Sequence, residues 1–203
     1  DVVELSAEDR AKLSRAPFDI DEYKEFLDIK EVKGEAGYST LERTGIRPCL
    51  DVNGIWGGYI GQGAKTVLPS VAHAKISMRL VPNQDSETIT RLFSEHFKAI
   101  APDYVKVEVK PHHGGDGFLI PISSPAYKAA EKAMTEVYGI EPVPSRGGGS
   151  IPILADLQRI LEIDPLLMGF GLERDTIHSP NESYLLKQLF AGMEAIALFY
   201  RYY

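Results

Sequence analysis

The chain has 203 residues, 44% hydrophobic and 25% charged, with a formal net charge of −7. That is ordinary globular usage, which excludes wholesale disorder, and no apolar run reaches the roughly 18 residues that span a bilayer. So acidic a chain repels phosphate, which excludes nucleic acid and anionic membrane as natural partners.

Cys49 is the single cysteine. No internal disulfide and no cysteine-only metal site can form, which suits a reducing, cytoplasmic compartment. The sequence starts at Asp1 without a basic-then-apolar leader. A leader already removed, or a start in mid-protein, fits equally well.

Residues 1–45 hold 12 acidic and 7 basic residues and read as an acidic connecting segment with little core of its own. Two short amphipathic helices are predicted there. Ser6 caps the first, with Asp9 behind it, and Asp19 or Asp21 caps the second. Pro17 separates them, and Gly34, Gly37 and Gly45 mark loop.

Residues 46–118 read as a small α+β unit. A strand is predicted near 54–60. From Val71 to Val81 apolar and polar residues alternate, with Ala72, Ala74, Ile76, Met78 and Leu80 on one face, the pattern of a half-buried strand. A helix follows from Ser86 to Ile100, striped by Ile89, Leu92, Phe93, Phe97 and Ile100. Val105, Val107 and Val109 alternate as a further strand. Two strands, a helix and a strand, in that order, predict an antiparallel sheet covered by helix.

Residues 119–203 change pattern. Ser124-Pro125 starts a helix with Ala126, Ala130, Ala133, Met134 and Val137 buried, and Gly139 stops it. A short extended piece spans 142–145. Ile153, Leu154, Leu157 and Leu161 mark another helix. Residues 165–172 are nearly all apolar, as in a strand buried on both faces, and a last helix runs from Pro180 to Tyr200. Helix, strand, helix, strand, helix is part of a parallel α/β layer, too small to stand alone.

Four places bear on chemistry. His178 lies in Thr176-Ile177-His178-Ser179-Pro180-Asn181-Glu182, where Ser179 and Glu182 have the spacing of a capping box. A histidine beside a helix start, after a buried strand, is a metal or catalytic candidate, because the positive helix end favours the neutral ring. A surface histidine beside a cap is the other reading. Gly147-Gly148-Gly149-Ser150 lets backbone approach a carboxylate or oxyanion closely, or is simply a turn. Arg79, on the polar face of its strand near His73 and Lys75, suits a bidentate carboxylate clamp, or a solvated face. His112-His113-Gly114-Gly115-Asp116 resembles a metal cluster in composition, but adjacent strand residues point to opposite faces and turn residues crowd it.

Equally informative are the gaps. There is no His-Glu-x-x-His, no His-x-Asp and no Glu-Glu pair. One histidine cannot hold a catalytic zinc, which takes about three protein ligands. Ser150 lacks the Gly-x-Ser-x-Gly setting of a hydrolase nucleophile, and Cys49 has no base nearby in sequence.

In order along the chain, Gly63-Ala64-Lys65-Thr66-Val67-Leu68-Pro69, Ile76-Ser77-Met78-Arg79-Leu80-Val81-Pro82, Arg146-Gly147-Gly148-Gly149-Ser150-Ile151-Pro152 and His178-Ser179-Pro180-Asn181-Glu182 occur. Together they resemble the di-zinc metallopeptidase family that includes carnosinase, cytosolic non-specific dipeptidase, aminoacylase and glutamate carboxypeptidase, and most of all its dipeptidase branch. The resemblance covers about residue 15 to the end. It implies a ferredoxin-like antiparallel lid with helices, which dimerises, joined to part of an α/β catalytic domain that binds two zinc ions. His178 would be a zinc ligand. Arg79 would grip the carboxylate of a small peptide substrate with help from Gly148, Gly149 and Ser150, and Thr66 would contact substrate across the homodimer.

The chain departs from that family in two ways. Gly147 stands where a Glu often follows the Arg. The His-x-Asp pair, the bridging Asp, the Glu-Glu pair and the lid histidine have no counterpart and are expected before Asp1. The chain alone is therefore expected to be inactive. A metal-free dimerisation or small-ligand-binding module, or a stand-alone ferredoxin-like ligand sensor, is the competing expectation.

Overall fold

The computed structural model describes residues 2–147 and 151–203. Its elements are α1 (Ala7–Leu13), α2 (Ile20–Phe26), α3 (Thr40–Gly45), β1 (Cys49–Gly57), β2 (Ala72–Arg79), α4 (Ser86–Ile100), α5 (Pro125–Tyr138), α6 (Ile153–Leu161), a 3-10 turn (Glu173–Asp175) and α7 (Leu186–Tyr202). They belong to two compact units. One lies within Asp1–Glu4, Phe18–Gly117 and Arg146–Pro152, the other within Leu5–Pro17, Phe118–Ser145 and Ile153–Tyr203. The acidic first 45 residues are thus shared between the two, α1 going with the second unit.

In the first unit β1 and β2 form an antiparallel ladder that pairs Cys49 with Arg79 and Trp56 with His73. A register shift between Val52 and Gly54 bulges β1. The alternation of β2 survives in part. Ile76, Met78 and Leu80 are half-buried, whereas Ala72 and Ala74 are exposed. Helix α4 starts where Asp85 accepts a hydrogen bond from the Thr88 N–H at 2.7 Å. Asp116 Oδ1 accepts from the Ser86 N–H at 2.8 Å, so two carboxylates serve one helix start. Much of the α4 stripe faces solvent, with Leu92 at 48% and Ile100 at 62% exposure.

Arg47 ties the first unit together. Its guanidinium donates to both Glu35 oxygens, at 2.8 and 2.7 Å, and to Glu4 at 3.1 Å, and lies 4.3 Å from the Tyr38 ring centroid. The two-pronged grip on Glu35 holds that carboxyl below its usual range. Tyr38 donates to Glu4, which raises its phenol. Ser39 and Glu42 form a full capping box that starts α3, a helix absent from the sequence reading of this stretch as loop.

The second unit is built on α5 packed against α7. Ala129, Ala130 and Ala133 are buried on α5, and Gly192 and Ala195 on α7. Ser124 caps α5 by accepting from the Tyr127 N–H at 3.2 Å, and Gly139 ends it in the left-handed conformation at φ 70°. Tyr202 donates to Glu136, and Lys132 Nζ lies 3.9 Å from the Tyr202 ring centroid, so the α7 end is pinned to α5. Arg15 reaches Glu141 at 3.4 Å, joining the α1 segment to this unit.

Several expected strands are not ladders among the described residues. Residues 104–110 keep their alternation, Val107 and Val109 being half-buried, but pair with no neighbour. Residues 165–172 are not a strand buried on both faces; Leu167 is 56% exposed and Phe170 packs on Gly192. Residues 142–145 also lack a ladder. A strand exists only with a partner to take its N–H and C=O groups, and alternation within one segment cannot supply it. The last helix starts at Leu186, not at Pro180.

Asp19 accepts from the Asp21 and Glu22 N–H groups, and Asp85 from Thr88, which lowers both carboxyls. A lowered carboxyl contributes stability above its unfolded value of about 3.9 and loses it as pH falls through the folded value. Both caps are therefore expected to titrate below pH 3.9, with fraying of α2 and α4 in the same window; amide hydrogen exchange against pH checks this. Ser124→Ala is expected to cost about 1 kcal/mol in thermal unfolding of the second unit.

Candidate functional site

His178 is exposed, in a loop that leaves the 3-10 turn at Asp175. Its backbone is left-handed at φ 63°, as are those of Thr176 at 50° and Asn181 at 63°. Such a cluster in non-glycine residues is uncommon. The Ser179 N–H donates to the Thr176 carbonyl at 2.9 Å, the Glu182 N–H to the Ser179 carbonyl at 3.2 Å, and the Ser183 N–H to the Asp175 carbonyl at 3.0 Å. Ser179 and Glu182 thus make a turn rather than a helix start. The helix-end argument for a neutral His178 ring falls with it, because α7 begins eight residues later and a helix end acts only within its first turn.

Asp175 is buried, 1% exposed, and sequence reasoning passed over it. Its Oδ2 accepts from the Leu172 N–H at 2.7 Å, while Oδ1 has no hydrogen-bond partner among the described residues. Nothing in the local pattern distinguishes it from an exposed loop acid, since its burial is created by the chain around it.

Arg79, in the first unit, closes β2 opposite Cys49. Cys49 Sγ is 3.4 Å from Asp51 Oδ2. Partial desolvation, then the hydrogen bond to Asp51, raise the thiol pKa, against a smaller lowering by Arg79. The raised pKa lowers the thiolate fraction of Cys49 and with it its nucleophilicity. Thr66 does not enter a strand. It lies in the 58–71 connection, bridged by a bond from the Val67 N–H to the Lys65 carbonyl at 3.0 Å.

Gly148, Gly149 and Ser150, expected to help hold a substrate carboxylate, lie outside the described residues. Their flanks are fixed on the first unit by close backbone contact. A side chain at Gly45 would collide with the Arg146 carbonyl, and one at Gly115 would come within 2.5 Å of Pro152 Cβ. His112 and His113 are exposed in an irregular segment, and Asp116 is occupied at the start of α4.

Among the described residues no group of three His, Cys, Asp or Glu side chains gathers to hold a metal ion. His178 fits as one donor, exposed on a tightly bonded loop, but a catalytic metal takes about three protein ligands. Among the described residues, no helix is long and apolar enough to cross a membrane.

Residues 18–202 match the model of peptidase family M20/M25/M40, and the chain belongs to that family. It is 36% identical over 161 residues to the Cys-Gly metallodipeptidase DUG1 of Saccharomyces cerevisiae, covering 77% of this chain and 33% of that protein. The human Beta-Ala-His dipeptidase is 27% identical over 203 residues, covering 98% of this chain and 40% of that protein. Among solved structures, an M20 family metallo-carboxypeptidase from Sulfolobus solfataricus superposes with a TM-score of 0.87 at 28% identity. That match covers all of this chain and 46% of the other. The chain thus spans a third to two fifths of the length of these curated relatives.

Gly45→Ala, and separately Gly115→Ala, should each destabilise the first unit by about 1–3 kcal/mol, because backbone or a proline ring must shift; denaturant midpoints check this. Cys49, though exposed, should alkylate slowly at pH 7 and faster as pH rises past its raised pKa. Asp51→Asn should speed the reaction, measured with iodoacetamide.

Proposed function

We propose that the intact protein is a metal-dependent dipeptidase that hydrolyses the peptide bond of small peptides, and that this chain supplies part of its site. The observation that carries the reading is His178, held on a left-handed, hydrogen-bonded loop in a chain that matches the M20 family from residue 18 to 202. The dipeptidase names of its relatives support the substrate class.

In this reading residues 46–118 are the lid, ferredoxin-like when complete, through which the enzyme forms a homodimer. Residues 119–203 end the catalytic α/β domain, and 1–45 connect. His178 is one ligand of a two-zinc site whose other ligands come from outside this chain. When bound, such a pair supplies Lewis-acid polarisation of the scissile carbonyl and an activated water. Arg79 holds the substrate carboxylate, a geometry its planar fork suits, with help from Gly148, Gly149 and Ser150, and Thr66 contacts substrate across the homodimer. The working compartment is the cytoplasm, in keeping with the single cysteine.

Exposed apolar faces support a larger assembly. Leu186, Phe190, Met193 and Tyr200 form a stripe on α7 with exposures of 69, 64, 60 and 74%. Monomeric proteins rarely leave so continuous a patch open. The occupant of the α7 stripe is the remainder of the same polypeptide, which in the relatives makes up more than half the length.

The competing reading, a metal-free dimerisation or ligand-binding module, draws on the lack of a three-donor group among the described residues. The coding sequence upstream of Asp1 separates the two. An open frame encoding His-x-Asp, Asp and Glu-Glu supports the enzyme, and a start codon directly before Asp1 supports the module.

The 203-residue chain alone should show no zinc-dependent dipeptide hydrolysis. In the full-length protein Arg79→Ala should raise KM for dipeptides and lower kcat/KM by about 10²-fold, the loss of a bidentate charge-assisted contact. Unchanged kinetics with unchanged helical content would refute the clamp.

A further inference from the structure

We propose that Asp175 is the positioning residue for His178: its buried carboxylate and backbone fix the left-handed loop that carries the histidine. The inference rests on the zinc reading of His178 given above and adds a residue to it.

Asp175 ties both ends of the 172–183 segment. Its Oδ2 accepts from the Leu172 N–H at 2.7 Å, its own N–H donates to the Leu172 carbonyl at 2.9 Å, and its carbonyl accepts from the Ser183 N–H at 3.0 Å. Between those ties lie the three left-handed residues Thr176, His178 and Asn181. Each such conformation costs about 1–3 kcal/mol and persists only where the surroundings over-determine it. Thr176 is the most costly, since its branched side chain crowds a left-handed backbone. Around the loop the remaining bonds are turn contacts among exposed groups, such as Thr176 Oγ1 to the Asn181 carbonyl at 3.3 Å. Asp175 is the buried anchor beneath them.

Gly171 lets Ile177 approach the backbone closely beside the carboxylate. A Cβ at Gly171 would lie 3.1 Å from Ile177 Cδ1 and 3.9 Å from Asp175 Oδ2. Oδ1 remains without a hydrogen-bond partner among the described residues, although burying an unsatisfied polar atom costs about 1–3 kcal/mol. Three residues from the proposed ligand, this buried group anchors the loop through the bonds that tie its two ends.

The test uses the full-length protein and reads zinc affinity by chelator competition, with helical content and thermal unfolding as checks on the fold. Asp175→Asn keeps the acceptor in place, and Asp175→Glu moves it by one methylene. The expected result is near-normal affinity for the asparagine variant and a loss of about 10–100-fold for the folded glutamate variant, the usual cost of disturbing a group behind a ligand. If the glutamate variant does not fold, Asp175→Ala takes its place with the same expectation. Unchanged affinity in the folded glutamate or alanine variant overturns the proposal. So does an asparagine variant as weak as the glutamate one, since charge and not position would then be at work. His178→Ala should lose zinc at one site. If it keeps both ions at normal affinity, the reading of His178 itself fails and the role of Asp175 fails with it.

Discussion

The second unit depends on how closely α5 and α7 approach. Ala129, Ala130 and Ala133 on one helix and Gly192 and Ala195 on the other bury almost no side-chain volume, so the helix surfaces can meet. The apolar area gained per residue is small, and the contact is reinforced at its end by Tyr202 on Glu136 and Lys132. Gly192 has a second role. It leaves space for the Phe170 ring, 3.1 Å from where a Cβ would stand, and so seats the 165–172 segment on α7. That segment leads directly into Leu172 and the loop of His178. Small residues on two helices therefore determine where the candidate ligand's loop begins.

The first unit is held differently. Among the described residues its ladder has two strands, which is marginal alone, and a cation, Arg47, grips Glu35 and Glu4. Polar clamps and backbone contacts at Gly45, Gly115 and Gly117 take the place of a large apolar core. With Leu50, Val52, Ile55 and Ile60 exposed, much of the usual hydrophobic stabilisation is unrealised within the chain. That is the expected physics of a piece whose buried surface is completed elsewhere, as the proposed function requires.

Two stretches with the same Ser-x-x-Glu spacing end differently, and they show where sequence reading reaches its limit. Ser39 and Glu42 close a capping box and start α3. Ser179 and Glu182 do not, because Asn181 takes a left-handed backbone and the Ser183 N–H is drawn to the Asp175 carbonyl. A helix cannot propagate through a left-handed residue. The box that forms, at Ser39, lay in a stretch read as loop, and the one read from the sequence, at Ser179, is undone by a bond to a buried residue that no local pattern shows. His178, Arg79 and Thr66 are candidates named from the sequence, while the burial of Asp175 was invisible there because burial is not a local property.

By itself the sequence determined the helices whose signals are local: α4 from its stripe, α5 from Ser124-Pro125 and Gly139, and α6 from its apolar spacing. It also determined family membership, through four short motifs in order. Tertiary structure alone decided which alternating segments became strands. Among the described residues, 72–79 found a partner in β1 and 104–110 found none, because a ladder bond needs a second segment at the right register. It alone decided the turn at His178, where Asp175, buried only in the folded chain, bonds Leu172 through its carboxylate and Ser183 through its backbone carbonyl.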